Sequence, residues 1–111
     1  MKKLATLSLF ALVAGPLAAQ TPAPMTYEDR VTCGALIFLG SQGAEDPTME
    51  QQFAAHHVAK AIEMSGKPEA VVIADTERRM GELSDAFANE DPEISAIYSN
   101  CIMTVINEFQ G

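Results

Sequence analysis

The most regular pattern in the chain lies near its end. Ile94, Ile97, Tyr98, Cys101, Ile102, Val105, Ile106 and Phe109 recur at spacings of three and four. That is one apolar stripe along a helix of about five turns. Asp91-Pro92 precedes it. The carboxylate offers an acceptor to the open N–H groups of the first turn, and proline fits N1, where no N–H is needed. Asp46-Pro47 gives the same start signal to an earlier helix. Its apolar face is broad: Met49, Phe53, Ala54, Val58, Ala61 and Ile62, with Gly66 as its left-handed C-cap. Lys67-Pro68 then opens a third helix with Pro68 at N1, along which Ile73, Met80, Leu83 and Phe87 follow the helical spacing loosely. Gly81 sits inside it and weakens it by roughly 1 kcal/mol relative to Ala. A bend there or a division into two shorter helices both fit the pattern.

The first element of this series covers about Tyr27 to Leu39. Thr26 is its N-cap, and Asp29 stands in the capping-box position three residues on. From Val31 to Leu39 nearly every residue is apolar or small, so this helix is expected at the centre of the fold. Gly40-Ser41-Gln42-Gly43 ends it. No strand alternation appears. The two Glu-Asp-Pro segments (45–47 and 90–92) begin two helices with one chemistry and do not mark a repeat. The expectation is an all-α fold: a small four-helix bundle forming one domain over residues 26–111, with short loops.

Residues 1–19 read as an address. Lys2 and Lys3 precede an apolar or small run from Leu4 to Ala14, and Leu17-Ala18-Ala19 ends in small residues. This is the three-part pattern of a secretory signal peptide, with cleavage expected after Ala19. The run is about 11 residues, where a spanning helix needs roughly 20. No cysteine follows it closely enough for a lipoprotein. Residues 20–25, with two prolines, read as a short extended leader. The predicted location is periplasmic or extracellular. Cleavage leaves 92 of the 111 residues and removes two lysines, so the net charge moves from -8 to -10.

Export places Cys33 and Cys101 in an oxidising compartment, and no third cysteine competes. One intramolecular disulfide is the simplest pairing, joining the first helix to the last. It closes a loop of about 68 residues, and chain entropy assigns such a loop roughly 4 kcal/mol. Cys-x-x-Cys and Cys-x-x-Cys-His are both absent.

Composition narrows the function classes. The chain is 48% hydrophobic, which argues against disorder. Seven basic against fifteen acidic residues argue against a nucleic-acid partner, which demands a basic surface. Of the two histidines, His57 falls in the apolar sector of the second helix with Phe53 and Met64. His56 falls beside Lys60 and Glu63. Adjacent histidines point about 100° apart on a helix, whereas structural zinc sites space theirs by three to five. A packed His57 and a surface His56 are expected. Glu69, Asp75, Glu77, Glu82 and Asp85 interleave with Arg78 and Arg79, as on a solvated face. Met49, Met64, Met80 and Met103 are read as core more readily than as an adaptable binding surface. No serine elbow, phosphate loop or calcium spacing appears. The reading is a non-enzymatic protein without cofactor or metal.

The short Thr32-Cys33 segment at the front, the single distant partner Cys101, the acidic charge and the helical content resemble the acid-stress periplasmic chaperones of the HdeA family. The resemblance implies one staple and release of an apolar surface at low pH. Here the cysteines lie further apart than in that family, and the last helix is more apolar. Three functions follow as expectations. The first is a periplasmic binding or interaction module acting on another protein, with no membrane association once the signal is removed. The second is an acid-responsive chaperone. The third is a small metal-binding protein using His57.

Overall fold

In a computed structural model the described residues are 24–110, and the expected signal peptide and most of the leader lie outside them. Four helices follow one another: α1 Tyr27–Gln42, α2 Thr48–Ser65, α3 Glu69–Ala88 and α4 Pro92–Gln110. No strand occurs among the described residues.

Local chemistry sets the helix ends. Thr26 Oγ1 accepts the Asp29 N–H at 3.1 Å while Asp29 accepts the Thr26 N–H at 2.9 Å, a complete capping box. Asp46 Oδ1 accepts from the N–H and hydroxyl of Thr48, and Asp91 Oδ1 accepts from the N–H groups of Glu93 and Ile94. Asp91 therefore caps α4 with Pro92 at N1, as its dipeptide predicts. At α2 the expectation is off by one residue: Pro47 itself stands at the N-cap, its carbonyl accepting from Gln51, and Asp46 lies before the helix in a turn closed on Thr48. Gly66 ends α2 at φ +71°, in the left-handed region.

Three further local expectations need correction. First, α1 continues three residues beyond Leu39, through Gln42. Ser41 stays helical because its hydroxyl donates to the Phe38 carbonyl, and the Gly43 N–H closes the end onto Gly40 and Ser41. Second, Pro68 is the residue before α3, not its first turn. Its ψ of 147° is extended, and only its carbonyl accepts from Val71 and Val72. Third, Gly81 neither ends nor divides α3, which runs unbroken from Glu69 to Ala88.

The central helix is α1, as its composition predicts. It packs on all three others, most extensively on α2. On one side Cys33 and Ile37 join Phe53, Ala54, Cys101 and Val105. On the other Val31 joins Ala61 and Val72. Gly34 lets α2 and α3 approach closely: a Cβ there would stand 3.2 Å from Val58 Cγ2 and 3.6 Å from Thr76 Cγ2. The face α3 buries is the Val72–Thr76 edge, and Ile73 is 39% exposed. The loose apolar spacing on α3 misplaced that face by about a quarter turn.

A disulfide joins Cys33 to Cys101, with Cα atoms 5.3 Å apart and 68 residues between them in sequence. Helix α4 packs sparsely on the rest. Of its long stripe only Cys101 and Val105 are fully buried, and Phe109 is 57% exposed. Its register on α1 is antiparallel: Arg30 meets Glu108, Cys33 meets Cys101, and Gly40 lies against the Tyr98 ring. The staple therefore fastens the helix that packing holds least.

Candidate functional site

Two places on this frame carry more than packing: a buried polar junction, and a groove between α2 and α3.

The junction is built around His57, which is fully buried. Its Nδ1 lies 3.1 Å from Arg30 Nη1, and its Nε2 lies 3.0 Å from the Cys101 carbonyl oxygen. A guanidinium has no lone pair to offer, so Nδ1 must accept. The ring proton then resides on Nε2 and donates to the carbonyl. The hydrogen-bond partners thus fix a neutral imidazole of one tautomer. A second proton would have to sit on Nδ1, pointing at an N–H of Arg30. Burial pushes the His57 pKa down to about 4; the Cys101 carbonyl opposes that, and the Arg30 charge adds to it.

Arg30 spends the rest of its fork on Glu108. Nη1 donates to Oε1 at 3.0 Å and Nη2 to Oε2 at 2.6 Å. His56 donates from Nε2 to the same Oε1 at 2.7 Å. The Arg30 hydrogen bonds hold the Glu108 carboxyl at about 2, against the opposing effect of burial. The edges of the Phe53 and His56 rings meet Phe109 at centroid distances of 5.7 and 5.0 Å. The junction joins α1, α2 and α4 at one end of the bundle.

His57 is therefore packed, as its position in the apolar sector predicts. His56 is not a free surface residue; it is tied to Glu108 and mostly covered. Both nitrogens of His57 are engaged inside the fold. Among the described residues, no group of three His, Cys, Asp or Glu side chains is placed to hold a metal ion. Arg30 and Glu108 escaped the sequence reading. Their one signal was position: Arg30 is the single cation of α1, adjoining its apolar run, and Glu108 interrupts the end of the α4 stripe. A buried cation needs a partner, and that requirement alone could have drawn attention to both.

The groove runs between α2 and α3 over α1 and encloses about 570 Å³. Ala55 and Ala59 form its α2 side, with Val58 and Ile62 deeper. Ile73 and Met80 line the α3 side, and Phe38 lines it from α1. The two alanines are one turn apart and exposed, so their small side chains leave the trough open. Its charged lining residues are Glu69 and Glu77.

The methionine expectation is corrected. Met49, Met64 and Met103 are each at least half exposed, and Met80 lines the groove. The acidic face of α3 is solvated as expected, but it also anchors the helix. Tyr27 donates to Asp75 at 2.5 Å, and Arg79 donates to Thr32 and Glu28 of α1, each at 2.7 Å.

Comparison with known proteins identifies no relative: no family model, no curated protein and no solved structure matches this chain.

Proposed function

We propose that this chain is an exported helical binding module that holds a helical segment of another protein in the groove between α2 and α3. The groove itself carries the reading. Its floor is aliphatic, its alanine side permits close backbone approach, and it is left open because α2 and α3 each pack on α1 more than on each other. Amphipathic helices seat in such grooves through anchors at i, i+3, i+4 and i+7. The signal-peptide pattern of residues 1–19 and the Cys33–Cys101 disulfide support export. The absence of a catalytic motif supports binding over chemistry.

The test is a capture experiment with the mature protein and its Ala59→Trp variant, which fills the groove from an exposed position. A partner retained by the wild type at stoichiometric level and lost by the variant supports the reading. Equal capture by both moves the binding surface elsewhere.

A second reading is favoured by the His57 junction. A neutral histidine sealed against a cation and a carbonyl is a weak point in acid, and it sits where α4 attaches. This supports an acid-responsive chaperone, as the HdeA resemblance implies. Loss of near-UV dichroism near pH 3, with dye binding and the disulfide intact, is the expected result. An unchanged near-UV spectrum down to pH 2 removes this reading.

A further inference from the structure

We infer that the segment received by the α2–α3 groove is a cationic amphipathic helix of about three turns, contributed by a partner protein. The inference rests on the binding reading above and adds the chemistry of the ligand.

The charge distribution makes the argument. The described residues contain five cations: Arg30, Lys60, Lys67, Arg78 and Arg79. Each already has a carboxylate partner within the fold. Arg30 holds Glu108, Lys60 lies near Glu63, and Lys67 lies near Asp75. Arg78 spans Asp75 and Glu82, and Arg79 spans Glu28 and Glu82. None of them reaches Glu69 or Glu77, the two carboxylates that line the groove. On α3 the arginines lie away from the groove, while Glu69, Ile73, Glu77 and Met80 share the groove side. On α2 the groove side is uncharged, with Gln51, Ala55, Ala59 and Ile62. The trough thus pairs an apolar floor with one acidic, unpaired wall.

Geometry sets the ligand's size. Glu69 and Met80 bound the α3 wall and stand about 16 Å apart along the axis, three turns of helix. Glu69 and Glu77 are about 12 Å apart, so basic residues seven or eight positions apart on one flank of the guest meet both. Charge excludes two other occupants. The apolar stripe of α4 from a second copy brings Glu93 and Glu108 and no cation. A fatty acid brings a carboxylate to an acidic wall.

The probes are three helical peptides of fourteen residues sharing one leucine face. Their flanking positions carry Lys, Gln or Glu. Titration into the full mature protein should rank them Lys over Gln over Glu. The Glu69→Gln/Glu77→Gln protein should lose about fivefold in affinity for the Lys peptide, as two exposed ion pairs imply, and salt should reduce the difference. Ala59→Trp and, independently, Ala55→Trp should abolish binding of every peptide, with thermal unfolding confirming that each variant folds. If Lys and Gln peptides bind equally and the alanine variants block both, the charge inference falls while the groove reading stands. If no peptide binds, the groove reading falls with it. If the Lys peptide binds but neither tryptophan disturbs it, the contact is non-specific attraction to an acidic surface, and both fall.

Discussion

Arg30 donates into the Nδ1 lone pair of His57 across 3.1 Å. This contact places a permanent cation against the atom that would have to take up a proton in acid. It makes the junction of α1, α2 and α4 stable only while His57 is neutral.

The pH dependence follows in sign and size. His57 titrates near 4 when folded, against 6.5 in an open chain. Between those values the unfolded chain binds the additional proton, so stability falls as pH falls. The stability is complete above pH 6.5 and is lost on passing down through pH 4. The displacement corresponds to about 3 kcal/mol. Glu108, held at about 2 against 4.5, adds a loss of the same sign that begins below pH 4.5 and runs to about pH 2. Solvent screening reduces its size, since the Glu108 side chain is 30% exposed. Urea unfolding at pH 7 and pH 4 measures the first step. The His57→Leu protein should show a flatter profile between pH 6.5 and 4 and lower stability at pH 7. A profile as steep as the wild type's places the titration elsewhere.

Replacing Arg30 by Lys should be costly although it keeps the charge. One ammonium cannot reproduce a bidentate hold on Glu108 and also reach His57. The expected loss is about 2 kcal/mol, from hydrogen bonds to charged groups left unmade. A double-mutant cycle with Glu108→Gln should give a coupling well above that of an exposed pair. Additive losses would show that the two side chains do not act together.

The disulfide matters most for α4. Cys33→Ser/Cys101→Ser should lower stability by about 4 kcal/mol, the chain-entropy value for a closed loop of this length. Because α4 packs sparsely, hydrogen exchange in the variant should accelerate in α4 before it does in α1 and α2. Uniform acceleration through all four helices would mean that the bundle opens as one unit.

The sequence made the helices legible because their ends are written in local chemistry. Thr26 with Asp29, Asp91 and Gly66 each act where their residue types predict, and Asp46 falls one residue short of the N-cap of α2. The disulfide was legible because two cysteines allow one pairing. What remained hidden depended on tertiary placement. The burial of Val72 and Thr76 in place of Ile73 follows from the approach of α3 to Gly34 of α1, which no period along α3 encodes. The Arg30–Glu108 pair joins residues 78 apart in sequence. The groove arises because α2 and α3 each pack on α1 more than on one another, a consequence of three-body packing. For the same reason the apolar stripe of α4, strongest in the sequence, is only half covered.

Two glycine substitutions should act in opposite directions. A Cβ at Gly81 meets no atom within 4 Å, and Gly81 lies in the interior of α3. Gly81→Ala should therefore stabilise the protein by about 1 kcal/mol through helix propensity alone. At Gly40 a Cβ would stand 2.6 Å from the Tyr98 hydroxyl and 3.1 Å from its ring. Gly40→Ala must push that ring off α1, which disturbs its contact with Phe87 at 5.9 Å and the packing of α4. Overpacking of this kind costs about 1–3 kcal/mol, more than the propensity gain. Gly40→Ala paired with Tyr98→Leu should recover most of the loss, since the clash is with that ring. Chemical denaturation of the four proteins measures both effects. A Gly40→Ala protein as stable as the wild type would show that Tyr98 moves aside at no cost, and that α4 rides loosely on α1 beyond its staple.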